Sequence, residues 1–112
     1  MSEITTHVLD ISRGRPAVGF QVGLQIKSGD TWKTLGAALT DANGRCTGLL
    51  GNAALEAGTY RLLFNAGDYY RELHLDTFYS EISIVFEVSH PEMHYHVPLL
   101  VSPFGYSTYR GS

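Results

Sequence analysis

Positions of alternating character dominate the chain. Val18, Phe20, Val22, Leu24 and Ile26 alternate with Gly19, Gln21, Gly23 and Gln25, which sends one side of a strand into a core. Ile82, Ile84, Phe86 and Val88 repeat the pattern, with Ser83 and Glu87 facing away. Shorter apolar, β-branched and aromatic runs over residues 4–9, 31–39, 59–64 and 95–101 predict further strands. Turn chemistry separates them: Ser12-Arg13-Gly14-Arg15-Pro16, Ser28-Gly29-Asp30, Asp41-Ala42-Asn43-Gly44 and Ser102-Pro103-Phe104-Gly105. Short strands at such intervals predict an antiparallel sandwich or barrel. One stretch breaks the period. Asp68 stands as a possible N-cap, with Tyr69, Tyr70 and Leu73 on one helical face, predicting about two turns before Asp76-Thr77-Phe78 resumes an extended path.

The expectation is therefore one β-rich domain over residues 1–112, with a short helix. A chain of 112 residues is below the prior of roughly 150 for one domain, and about two-thirds of its extended surface would be buried on folding. The balance of 44% hydrophobic and 17% charged residues is globular. No run reaches the roughly 20 apolar residues that cross a bilayer as a helix, so no membrane span is expected. A net charge of −3 without a basic stripe argues against a nucleic-acid partner. Cys46 is the one cysteine and cannot close an intrachain disulfide, and its small, apolar neighbours Thr47-Gly48-Leu49-Leu50 mark it as a packing residue. Met1-Ser2-Glu3-Ile4 lacks the basic and apolar regions of a secretory leader, and Arg110-Gly111-Ser112 is not the Ser-Lys-Leu peroxisomal address. A cytoplasmic location is the expectation.

Candidate chemistry starts with five histidines: His7, His74, His90, His94 and His96. An imidazole titrates close enough to neutrality to carry protons. His94 and His96 leave the same face of a strand and could hold zinc, but a catalytic zinc needs a third protein ligand. Hydrogen-bonded strand histidines are the simpler reading. His7 shares a strand face with Thr5 and Leu9, while Thr6 and Val8 face the other way. Arg45 follows Asp41-Ala42-Asn43-Gly44, which fits an Asn-Gly hairpin corner. The tail from Gly105 to Ser112 carries Tyr106, Tyr109 and Arg110 and is richer in chemistry than a fraying terminus. Gly-x-Ser-x-Gly, Gly-Lys-Ser/Thr and Gly-x-Gly-x-x-Gly are all absent. From the residues alone, the chain is a β-domain with a possible His/Arg site.

Three segments taken together resemble one family. They are His7-Val8-Leu9-Asp10 with Gly14-Arg15-Pro16-Ala17, then Gly44-Arg45, then His94-Tyr95-His96-Val97-Pro98-Leu99-Leu100 running through Ser102-Pro103-Phe104-Gly105-Tyr106-Ser107-Thr108 into Tyr109-Arg110-Gly111-Ser112. This set resembles the 5-hydroxyisourate hydrolases, also called transthyretin-related proteins, and the terminal Tyr-Arg-Gly-Ser separates them from hormone-carrying transthyretins. The resemblance implies an all-β, transthyretin-like two-sheet antiparallel sandwich with one short helix. It implies a homotetramer, a dimer of dimers, with sites in the channel between dimers. It also implies hydrolysis of 5-hydroxyisourate, a small-molecule substrate, without a cofactor or metal.

On that resemblance the catalytic set is His7, Arg45, His96 and Ser112, with His7, Arg45, Tyr109, Arg110 and Gly111 binding substrate. His7 and His96 would activate water and pass protons. Arg45 would clamp the ring through its fork of donors. Tyr109 would contact the ring, and Ser112 would bring a hydroxyl and terminal carboxylate near the water. His94 belongs to the motif as a supporting or packing residue, and His74 and His90 match no functional position. Ile11 and Ser80 depart from the family pattern, both outside the implied site. Two other readings stay open: a transthyretin-like carrier of an aromatic ligand, and a zinc hydrolase using His94 and His96.

Overall fold

The computed structural model describes residues 3–112; Met1 and Ser2, on which the reading of the leading segment partly rests, lie outside them. The elements in chain order are β1 (Ile4–Asp10), β2 (Arg15–Pro16), β3 (Gln21–Ser28), β4 (Thr31–Leu39), β5 (Arg45–Cys46), β6 (Gly58–Asn65), α1 (Ala66–Glu72), β7 (Glu81–Val88), β8 (Tyr95–His96), β9 (Leu99–Ser102) and β10 (Gly105–Thr108). They form two sheets, as expected. One has four strands in the order β4-β3-β6-β7, and the other has six, running β10-β9-β1-β2 with β5 and β8 also paired to β1.

Alternation places the core between the sheets. Val22, Leu24, Leu62, Phe64 and Ile82 from the first sheet meet Ile4, Val8, Leu99 and Val101 from the second, all fully or almost fully buried. Each such side chain contributes about 1.5–3 kcal/mol relative to exposure. Asp10 closes β1 as a buried carboxylate, accepting from the Ser12 amide at 3.1 Å, the Ser12 hydroxyl at 2.6 Å and the Tyr69 hydroxyl at 3.0 Å. The last of these ties α1 to the six-stranded sheet.

The structure corrects several sequence readings. The run that began at Val18 becomes a strand only from Gln21. Gly19 turns the chain at φ +72°. The buried Thr40 hydroxyl accepts the Phe20 amide proton at 2.8 Å and donates to the Ala17 carbonyl at 2.6 Å, adding to backbone bonds from Gly19 to Thr40 and from Thr40 to Phe20. The pairing there is therefore irregular, and Val18 is exposed. The run at residues 95–101 divides into β8 and β9 because Pro98, between them, has no amide proton for the ladder. The helix begins earlier than Asp68. Asn65 is its N-cap, accepting the Asp68 amide proton at 3.1 Å, and Asp68 lies in the first turn, where its charge complements the helix dipole. The sandwich is antiparallel except around β1, which runs parallel to β8 and β9. Cys46 is buried as expected, and burial, with Asp41 nearby, pushes its thiol up to about 11.

Candidate active site

β1 carries the site because its alternation leaves one face polar. Thr6 and Val8 are buried toward the core, and the Thr6 hydroxyl donates to the Val97 carbonyl at 2.6 Å. Thr5 and His7 therefore share the opposite face. Register decides what lies beside them. Thr5 is opposite His96 in the parallel pairing with β8, and His7 is opposite Arg45 in the antiparallel pairing with β5. Residues from three distant parts of the chain thus reach one surface. His94, two positions before His96, joins them.

The turn before β5 holds two of these groups in place. Asp41 accepts the amide protons of Asn43 at 2.9 Å and Arg45 at 3.0 Å, and these bonds hold its carboxyl below the usual carboxylate range. The turn closes tightly through the Gly44 amide donating to the Asp41 carbonyl at 2.9 Å. Gly44 has φ +77°, and a Cβ there would sit 2.5 Å from the Val8 carbonyl oxygen. Only glycine fits. The turn is tight, but it is not the corner of a hairpin between neighbours: β4 and β5 belong to different sheets, so it carries the chain across the sandwich. His7 Nε2 lies 2.8 Å from the Asn43 carbonyl oxygen. In neutral His7 that bond puts the proton on Nε2 and leaves Nδ1 with a lone pair.

Thr5, Thr6, Arg45, Thr47, His94, His96 and Ser112 line a cavity of about 210 Å³. His96 is half-buried at its wall, while Arg45, His94 and Ser112 are exposed. Burial, then the positive charge of Arg45 and the neighbouring His7 and His94, lowers the His96 pKa below the usual imidazole value. An imidazole so placed is neutral near pH 7 and can accept a proton. Arg45 supplies fixed donors for an anionic oxygen at the same cavity.

The sequence-named residues divide in two. His7, Arg45, His96 and Ser112 come together, with His7 beside Arg45 at the cavity's edge. Tyr109 and Arg110 do not line that cavity within one chain. They border a second depression of about 240 Å³ with Tyr95, Phe86 and Thr108, and His96 borders both. The Arg110 guanidinium lies over the Tyr95 ring, 4.7 Å from its centroid. Gly111 joins Arg110, at the second depression, to Ser112, at the first. Its amide donates to the His96 carbonyl at 2.8 Å, and a Cβ on it would sit 2.6 Å from His96 Cδ2, so the tail passes against the imidazole. The His90 side chain is exposed and lies 3.7 Å from Glu92, and His74 has φ 59° after the helix; neither lines the cavity.

Sequence reasoning missed Thr5 and Thr47 on the cavity and Asn43 behind His7. Thr5 had a signal, since it shares the His7 face, but its link to His96 depends on a parallel register across ninety residues of chain. Among the described residues, no three of His, Cys, Asp and Glu gather as ligands for a metal ion.

Fold and cavity together define a two-sheet β-sandwich in which β1 and its short partners β5 and β8 bring together an imidazole–guanidinium cluster. The chain belongs to the HIUase/Transthyretin family, whose model matches residues 4–111. It is 44% identical over 109 residues to the 5-hydroxyisourate hydrolase of Salmonella typhimurium, covering 97% of this chain and 80% of that protein. The structure of Klebsiella pneumoniae 5-hydroxyisourate hydrolase superposes with a TM-score of 0.87 at 38% identity, covering all of both chains. Sea bream transthyretin, solved in complex with thyroxine, gives 0.89 at 30% identity, over 97% of this chain and 94% of that one. Shape is thus shared about equally with a 5-hydroxyisourate hydrolase and with a thyroxine-bound transthyretin, and function rests on the site.

Proposed function

We propose that this protein hydrolyses 5-hydroxyisourate to 2-oxo-4-hydroxy-4-carboxy-5-ureidoimidazoline, a step of urate degradation. The observation that carries the reading is the cavity itself. Arg45 and His96 line it among three threonines and Ser112, with His7 beside Arg45, where a carrier of an aromatic ligand would present apolar groups. The names of the relatives at 38–44% identity point the same way.

In this reading Arg45 holds the ring and faces the oxygen on which negative charge develops. Neutral His96 takes a proton from water as the water attacks the ring carbonyl. His7, with its Nδ1 lone pair free, takes the remaining proton from the hydroxyl of the tetrahedral intermediate as the carbonyl re-forms and delivers it to the departing ring nitrogen. Such proton transfers contribute about 10²–10⁴ in rate. Ser112 sits at the cavity and orients the water through its hydroxyl. Tyr109, Arg110 and Gly111 bind substrate from the tail, with Tyr109 and Arg110 acting across an interface between chains. That role suits the proposed homotetramer, a dimer of dimers with sites between dimers. Sedimentation velocity tests the assembly: a tetramer is expected, and a monomer with full activity contradicts it.

The chain is proposed to form one domain, which the continuous core between both sheets supports. A cytoplasmic site of action suits a chain with a single, buried cysteine. No helix among the described residues is long and apolar enough to cross a membrane.

The test is to generate 5-hydroxyisourate with urate oxidase and follow its ultraviolet decay. Acceleration over the spontaneous rate is expected, undiminished after treatment with a chelator. No acceleration, together with tight binding of an aromatic ligand, would favour the carrier. Loss of activity on chelation, restored by zinc, would favour a zinc site at His94 and His96.

A further inference from the structure

One hydroxyl in the cavity sits between two imidazoles. Thr5 Oγ1 lies 2.8 Å from His96 Nδ1 and 3.1 Å from His94 Nε2. Among the described residues neither ring makes another side-chain hydrogen bond. Thr5 is 8% exposed, His96 is half-buried, and His94 is exposed, so the three groups run from the cavity wall to solvent. A hydroxyl has one proton. It can donate to one ring and must accept from the other.

We infer that Thr5 is a positioning residue for His96 and that Thr5 and His94 form the path by which the proton taken from water leaves the site. The inference rests on His96 serving as the base, as proposed above. If Nε2 of His96 accepts from water, the resting proton of the ring is on Nδ1. Nδ1–H then donates to Thr5 Oγ1, and the Thr5 O–H donates to His94 Nε2, whose own proton is on Nδ1. The three groups form a directed chain.

The chemistry gives that chain something to carry. Ring opening turns a C–N bond and one water into a carboxylate and an N–H. The water's oxygen enters the carboxylate, one of its protons ends on the nitrogen, and the other leaves as H⁺. After His96 Nε2 has accepted a proton, its Nδ1 proton passes to Thr5 Oγ1. The Thr5 hydroxyl proton passes to His94 Nε2, and His94 releases a proton to solvent. No charge then stays on His96 beside Arg45 and His7, the cationic and titratable groups that face it from β5 and β1, with His94 ahead of β8. The shared hydroxyl also fixes the plane of the His96 ring against Gly111.

Three variants and two measurements test this in the intact protein. Thr5→Val keeps the shape and removes the hydroxyl, Thr5→Ser keeps the hydroxyl, and His94→Ala opens the far end. Thr5→Val is expected to lower kcat about 10²-fold with KM changed less than about threefold, and to shift the acid limb of the pH–rate profile. Thr5→Ser should retain most of kcat. His94→Ala should lose kcat and regain it in proportion to added imidazole, a response that a packing role would not produce. Wild-type kcat and pH profile in Thr5→Val, equal damage in Thr5→Ser, or a His94→Ala enzyme indifferent to imidazole would overturn the inference. Nitrogen-15 NMR of the histidines reads the same arrangement without turnover. The Nδ1–H tautomer of neutral His96 is expected, lost in Thr5→Val, and an Nε2–H tautomer in the unsubstituted protein would overturn the directed chain. An inactive wild-type protein would instead sink the hydrolase reading, and the tautomer would still decide the hydrogen-bond chain.

Discussion

Strands of the four-stranded sheet run eight or nine residues and pair continuously, with one shift between Leu24 and Gln25. In the six-stranded sheet three strands are two residues long, and β1 pairs along its length with those three and with β9. The regular sheet pairs its strands over nearly their whole length and buries Leu62, Phe64 and Ile82. The broken sheet gathers short segments from distant parts of the chain, and the polar face of β1 opens onto the gaps between their ends. Stability is concentrated in continuous pairing, while the chemistry collects where pairing is interrupted. The contrast teaches that the irregular sheet, by ending and restarting its strands, brings residues from distant parts of the chain to one surface, which the regular sheet does not.

Substitutions on the two sheets should separate activity from stability. The largest effect is expected from His7→Ala, Arg45→Ala and His96→Ala, each lowering turnover of 5-hydroxyisourate by about 10²–10⁴ with unfolding free energy changed by about 1 kcal/mol or less. Stopped-flow decay and urea denaturation of the same samples check both halves. Next, Phe64→Ala in the regular sheet should cost about 3–5 kcal/mol in denaturation, with kcat of the folded fraction unchanged. Gly111→Ala belongs with the broken sheet. Its Cβ would press on the His96 ring, so kcat should fall about 10²-fold while the denaturation midpoint barely moves. Asn65→Ala removes the cap of α1 and should cost about 1 kcal/mol in the denaturation curve, without touching the site.

The smallest change is electrostatic. Burial first and the Arg45 cation second keep His96 below its ordinary pKa. Activity that needs neutral His96 therefore persists below the ordinary imidazole range and falls as pH drops through the lowered value. Arg45→Gln removes a positive neighbour, so the NMR titration midpoint of His96 should move up. A midpoint that moves down or stays fixed would show that Arg45 does not face His96.

Most of the regular sheet was legible because period-two alternation reports burial directly, and Val22, Leu24 and Ile26 behave as read. The broken sheet was legible only in part. Pro98 splits one apolar run into two strands, and the turn at Gly19 with the Thr40 hydroxyl keeps Val18 out of the strand that its alternation predicts. His7, Arg45 and His96 could be named through the family resemblance, but nothing in their spacing tells that β1 meets β8 in parallel. Without that register Thr5 looks like any strand threonine. Tyr109 and Arg110 show the other limit: their chemistry was visible, yet the fold of one chain turns them toward Tyr95.

In the proposed mechanism His7 and His96 act as a unit at the cavity that Arg45 lines. Decay of 5-hydroxyisourate measured for the wild type, His7→Ala, His96→Ala and the double variant tests it most directly. Groups that serve one step are not additive, so the double variant should be slower than the worse single variant by no more than about threefold. Two losses that simply multiply, as for independent sites, or a folded single variant with the wild-type rate, would contradict it.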